Sequence, residues 1–205
     1  MPEFFIYADI IGIIAFCISG FLIAIKNDLD ILGILIASTL TALGGGVLRD
    51  AILSTSPFAF THIYPALTLF ITLGVIMLFK LYTKPSLEQK WVFVISDTIG
   101  LVAFSITGAI LAINAEFNFF GVVILSFITA IGGGVTRDVM INQVPTVLVS
   151  DFYGSIAVIV AVLLALLDFF DAINQFSIIG VALLSIALRL LAFYKKWHLP
   201  KLSKN

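Results

Sequence analysis

Two short stretches of this chain put charge where charge is expensive. Gly44-Gly45-Gly46 is followed by Arg49 and Asp50, and Gly132-Gly133-Gly134 by Arg137 and Asp138, each within a long apolar run. Apart from Arg189, these are the ionisable groups that fall inside apolar runs rather than at their ends. A charged side chain at mid-bilayer costs about 2.5–3.5 kcal/mol even on the gentler insertion scales, so it faces protein or water and marks a pathway or a pair. Each glycine in a helix interior costs about 1 kcal/mol relative to alanine, and three in succession predict a kink or an unwound turn. Such a turn frees carbonyl and amide groups that hydrocarbon cannot satisfy, so it must be buried in protein or line a hydrated cavity. Arg and Asp at adjacent positions project about 100° apart on a helix, which predicts partners elsewhere, from the other copy of the motif. Ser38, Thr41, Ser126 and Thr129 stand one or two turns before the glycines, and Ser19 and Thr107 occupy equivalent places on two further segments; together they offer a polar lining. The competing reading is that the glycines only let helices approach closely and the charges lock them together.

The elements that must hold these residues follow from composition. Of 205 residues, 61% are hydrophobic and 11% charged, with a mean hydropathy of +1.18; soluble domains are nearer half apolar and a quarter charged. The chain therefore reads as an all-α membrane protein. A spanning helix needs about 20 apolar residues, and punctuation by charge, Pro and Asn predicts seven segments: roughly 5–25, 31–53, 62–82, 91–113, 118–141, 147–167 and 176–194. The first is too long for a signal-peptide core and lacks a basic leader, so it reads as a retained helix. The connections are short, which leaves one membrane domain over 1–205, ending in a basic tail at 195–205.

Sliding the sequence by 88 residues reveals a duplication. DIIGIIAFCISG (9–20) aligns with DTIGLVAFSITG (97–108) and TALGGGVLRD (41–50) with TAIGGGVTRD (129–138); from Asp9/Asp97 to Pro57/Pro145, 21 of 49 positions are identical. Repeat one covers about 5–82 and repeat two about 91–167, with the seventh helix outside. Three spans per repeat is an odd number, so the second copy must enter the membrane from the opposite face. That is an inverted repeat, which many channels and carriers use to build a site at the midplane. With seven spans, Lys26, Lys80, Lys84, Lys90, Lys195, Lys196, Lys201 and Lys204 all lie on one side, and Glu3, Glu116, Asp168 and Asp171 on the other. Short cytoplasmic loops collect lysine, which predicts a multi-pass cell-membrane protein with the N-terminus outside and the C-terminus in the cytoplasm.

Several function classes fall away. A net charge of −1 excludes a strongly basic nucleic-acid binder, and the single cysteine, Cys17, excludes an internal disulfide framework. His62 and His198 are the only histidines, with no carboxylate at ligand spacing, so no metal or cofactor is predicted. Asp50 and Asp138 each follow an arginine, which favours the ionised carboxylate and opposes a shared-proton protease dyad. No phosphate-binding loop or nucleophile motif appears, so no enzyme is expected. Phe16 and Phe104 are candidates for gating by dewetting, and Asp9 and Asp97, equivalent in the duplication, read as charges favouring helix N-termini. The basic tail favours anionic membrane lipids.

The twofold GGG-x-x-RD signature on the second and fifth helices, the 3+3 repeat and the extra helix resemble the trimeric intracellular cation (TRIC) channel family, in its prokaryotic branch. The resemblance implies a homotrimer with a pore in each protomer, bounded by kinked helices two and five and passing monovalent cations, potassium first and sodium second. It makes Gly44 to Gly46 and Gly132 to Gly134 the kink positions and Arg49, Asp50, Arg137 and Asp138 the charged positions of the pore. Exposed carbonyls and Ser/Thr hydroxyls would supply neutral oxygen ligands to the ion, and without a dedicated filter sequence selectivity would be modest. The alternative is a secondary carrier of glycine or another small amino acid, holding the substrate carboxylate at an arginine and helix N-termini.

Overall fold

The computed structural model describes residues 3–80, 83, 86–149 and 152–197; the tail beyond Trp197, with His198, Lys201 and Lys204, and Lys84 lie outside them. Among the described residues the regular structure is helical: α1 (Glu3–Lys26), α2 (Ile31–Ile52), α3 (Phe58–Thr61), α4 (Ile63–Leu78), α5 (Ser86–Asn114), α6 (Phe119–Met140), α7 (Thr146–Val149), α8 (Tyr153–Phe169) and α9 (Gln175–Tyr194). Five of them, α1, α2, α5, α6 and α9, are long and apolar enough to cross a membrane, and α4 and α8 are shorter apolar helices of 16 and 17 residues. The chain is a multi-pass membrane protein. The expected segment 147–167 is divided into a single turn, α7, and the longer α8, whereas 62–82 shortens to α4, with the single turn α3 just ahead of it. His62 between α3 and α4 is extended (φ −124°, ψ 147°), and Phe152 before α8 is left-handed (φ 59°).

The duplication is written into the local chemistry of the turns. Asp30 caps α2 by accepting from the Gly33 amide at 2.7 Å, and Asn118, 88 residues on, caps α6 by accepting from the Gly121 amide at 2.9 Å. Both caps satisfy amides that a helix start leaves open. At the other ends, α1 and α5 finish on left-handed residues, Asp28 and Glu116, and the next amide closes back five residues, Leu29 to Ala24 O (3.1 Å) and Phe117 to Ala112 O (3.0 Å). Those bonds consume orphan carbonyls and turn the chain sharply without glycine.

The core is the contact between α1 and α5. The Phe16 and Phe104 rings stack with centroids 5.4 Å apart, and each ring lies over the glycine opposite, Phe16 over Gly100 and Phe104 over Gly12. Low numbers on one helix meet high numbers on the other, so α1 and α5 run antiparallel. The end of α1 (Leu22, Lys26) accordingly meets the start of α5 (Lys90, Val94) and the end of α9 (Phe193) around one groove. α2 and α6 pack outside this pair and against each other, α4 leans on α1, α8 on both α5 and α6, and α9 closes on α5 and α8.

Candidate functional site

The triple glycines are where α2 and α6 cross, also antiparallel. A Cβ on Gly45 would sit 2.0 Å from the Thr129 carbonyl oxygen, one on Gly133 2.3 Å from the Thr41 carbonyl oxygen, and one on Gly44 3.0 Å from the Cα of Gly133. Gly132 meets Leu48 at 2.7 Å. Backbone therefore packs on backbone, which only glycine permits. The sequence expectation of an unwound turn is corrected here: α2 is helical without interruption over Ile31–Ile52 and α6 over Phe119–Met140. Close packing against a second glycine helix offsets the propensity cost that argued for a break. The third glycine of each run has a different neighbour. Cβ atoms on Gly46 and Gly134 would come no nearer than 3.8 Å, to the guanidinium of Arg49 and Arg137 respectively, so these glycines leave room for the arginine to lie back along its own helix.

Each arginine is buried, Arg49 1% and Arg137 2% exposed, and each pairs with the aspartate beside it. Arg49 Nε donates to Asp50 Oδ1 at 2.8 Å, and Arg137 Nε to Asp138 Oδ1 at 2.8 Å with Nη2 at 2.7 Å. This corrects the expectation that adjacent Arg and Asp point too far apart to meet. The arginine has the reach to fold back, and the other aspartate oxygen is fixed elsewhere: Asp50 Oδ2 accepts from the Phe58 amide at 2.8 Å, and Asp138 Oδ2 from the Thr146 amide at 2.7 Å and its hydroxyl at 2.9 Å. The Arg-Asp doublet thus clasps the start of α3 or α7, where Pro57 or Pro145 precedes the turn.

Asp9 and Asp97 are corrected as well. They lie deep in the protein, 3% and 5% exposed, rather than serving helix ends. Arg49 grips Asp9 with both terminal nitrogens, at 3.1 and 3.4 Å, and is stacked on the Phe5 ring at 5.2 Å. Asp97 accepts from Ser19 at 3.0 Å and lies near the guanidinium groups of Arg137 and Arg189 and beside the Tyr153 hydroxyl. Tyr153 and Arg189, with Arg189 Cζ 5.1 Å from the Tyr153 ring centre, complete a second cluster. Tyr153 was invisible to sequence reasoning, although it opens α8 at a place where the first copy has Pro65.

The six hydroxyls expected to line a path are all buried. Thr41 donates to Ala37 O (2.6 Å) and accepts from Arg137 Nη1 (3.4 Å); Thr107 donates to Phe104 O (3.2 Å) and accepts from Arg49 Nη1 (3.3 Å). Thr129 donates to Leu125 O (2.6 Å), and Ser126 to Ser105 O (2.8 Å) and Ala157 O (3.3 Å). Ser38 is equally buried, and its hydroxyl has no hydrogen-bond partner among the described residues. The two arginines are thus brought onto threonines of the opposite copy, while Ser19, Ser38, Ser126 and Thr129 lie within the packed helices. A cavity of about 20 Å³, bordered by Asp9, Gly46, Arg49, Asp50 and Phe104, adjoins the first cluster, room for a single water.

Comparison with known proteins agrees with this architecture. A family model described as Glycine transporter matches the chain twice, over residues 6–81 and 94–168. The inner membrane protein YadS of Escherichia coli is 30% identical over 94% of this chain and 92% of its own length, and the membrane protein YvgT of Bacillus subtilis 31% identical over 95% of each; both carry the UPF0126 family name. A solved TRIC cation channel superposes with a TM-score of 0.84 at 34% identity over 97% of both chains. A crystallised prokaryotic TRIC channel does so with 0.86 at 30% identity over 97% of this chain and all of its own. The TRIC channel of Rhodobacter sphaeroides, at 24% identity and a TM-score of 0.84, shares the fold.

Proposed function

This chain belongs to the prokaryotic branch of the TRIC channel family, and from that premise we propose that it conducts monovalent cations, potassium first, along the α2–α6 crossing within each protomer. The observation that carries this reading is the crossing itself: two antiparallel glycine helices in backbone contact, flanked by buried hydroxyls, with an Arg-Asp cluster near the end of each. The arrangement suits a pathway that is shut. The Arg-Asp bonds are short, at 2.7–2.8 Å, whereas the bonds that tie each arginine to the other copy, Arg49 to Thr107 at 3.3 Å and Arg137 to Thr41 at 3.4 Å, sit at the weak end of the range. Those cross-copy bonds part first if α2 and α6 slide, and parting them frees threonine oxygens for an ion while each arginine stays neutralised by its own aspartate.

The topology in this reading has seven crossings, with α4 and α8 as short spans, and the second copy inverted relative to the first. The antiparallel α1/α5 and α2/α6 pairs support it, as does the meeting of Lys26 and Lys90 at one face. The N-terminus lies outside and the C-terminus in the cytoplasm, and the assembly is a homotrimer, as the family name says. Like its relatives, the protein is a channel or transporter rather than an enzyme. Planar-bilayer recording of the purified protein tests the proposal: unitary potassium currents far above carrier turnover are expected. Saturable uptake of radiolabelled glycine without unitary currents would overturn it in favour of the carrier.

A further inference from the structure

Beside the two charged clusters the copies of the duplication differ in bulk at one position. Pro65 in the first copy corresponds to Tyr153 in the second. Pro65 borders the water-sized cavity next to Arg49, together with Asp9 and Gly46. Tyr153, 5% exposed, reaches the counterparts of those two residues: its hydroxyl lies 4.0 Å from where a Cβ on Gly134 would stand, and beside the Asp97 carboxylate. Helix packing differs in the same sense, since α8 lies along α6 whereas α4 touches α2 at only a few points. Arg189, on a helix outside the duplication, lies over the Tyr153 ring with its Cζ 5.1 Å from the ring centre.

We propose that Tyr153 is the stopper of the permeation path at its Arg137 end: its ring fills the space that the first copy keeps open beside Arg49, and Arg189 holds it there. The proposal rests on the channel reading above. At the Arg49 end a water can replace a lost contact as the arginine changes partners, so movement there is cheap. At the Arg137 end the Tyr153 ring stands in the corresponding place, by Gly134 and Asp97, so an Arg137 that releases Thr41 meets the ring rather than a water. Water and ions therefore enter from the Arg49 side and stop at the ring. Since Arg137 ends α6 on the same side as Lys26 and Lys90, through the contact of Gln143 with Asn27, the stopper faces the lysine-rich surface.

Two measurements test this. In a Cys17→Ser background, single cysteines are placed at Ala42, which borders the cavity, and at its counterpart Ala130; both alanines are fully buried. Silver ion, a thiol-reactive cation small enough for a water-sized space, is expected to modify the Ala42→Cys protein and spare Ala130→Cys, and adding Tyr153→Ala is expected to make the latter reactive. In bilayer recordings, Tyr153→Ala should raise open probability several-fold, Pro65→Tyr should lower it, and Tyr153→Phe, which keeps the ring, should stay near the parent. Equal reactivity at the two cysteines with Tyr153 in place overturns the stopper, as does a well-folded Tyr153→Ala protein with unchanged gating. If the parent protein carries no unitary current, the channel reading fails, while the accessibility contrast still decides whether the ring seals one end. Should Tyr153→Ala not fold, the contrast between the two cysteines in the parent sequence decides alone.

Discussion

Asp50 and Asp138 divide their oxygens between an arginine on their own helix and the first amide of the following turn. A serine or asparagine could cap the turn, but only an aspartate both caps it and neutralises a buried guanidinium. Removing one member of a buried pair typically costs about 3–5 kcal/mol, because the survivor is left charged and unpartnered. Arg49→Gln strands two carboxylates, so its melting temperature in detergent is expected to fall by more than that of Asp9→Asn, in which Arg49 keeps Asp50. Equal losses in the two variants would contradict the assignment of Asp50 as the stronger partner. Asp9 was legible as a candidate only through its place in the duplication; that it belongs to the arginine required knowing which helices cross, since 40 residues separate the pair.

At the level of helices, the glycine runs have two jobs that single substitutions separate. Gly45 and Gly133 face carbonyl oxygens at 2.0 and 2.3 Å from an added Cβ, and neither backbone can yield without spreading α2 from α6. Gly45→Ala or Gly133→Ala is therefore expected to lower the melting temperature sharply. Gly46→Ala, whose nearest neighbour is the arginine tip at 3.8 Å, should be tolerated or gain up to about 1 kcal/mol from better helix propensity. Thermal unfolding of the three variants side by side checks the order, and a destabilised Gly46→Ala beside an unaffected Gly45→Ala would reverse the roles. At 1.5 Å per residue, α4 and α8 are about 24–26 Å long, short of the roughly 30 Å hydrocarbon core. Single turns, α3 and α7, clasped by Asp50 and Asp138, stand ahead of these two helices, and hydropathy averaged along the chain does not register the break at Phe152 that parts α7 from α8.

Across the whole molecule, Lys26, Lys90 and Phe193 gather the ends of α1 and α9 and the start of α5 on one face, with Lys90 Nζ 5.7 Å over the Phe193 ring. If that face is cytoplasmic, a protease added outside sealed right-side-out vesicles should remove an N-terminal tag and spare a C-terminal one; the opposite pattern would invert the orientation. The sequence alone determined the membrane class, the approximate helices, the 88-residue duplication and the two charged motifs, because hydropathy, periodicity and repetition are properties of the chain taken in order. Only the tertiary structure decided that the glycine helices stay continuous, that Arg49 closes on Asp50 and Asp9, and that Tyr153 comes to lie beside Asp97 and Gly134. Helix propensity counts what a lone helix loses to glycine, whereas the gain from a close crossing appears only when a second backbone is present. Likewise, a buried charge announces that it needs a partner, but which partner depends on distances across helices that no spacing along the chain encodes.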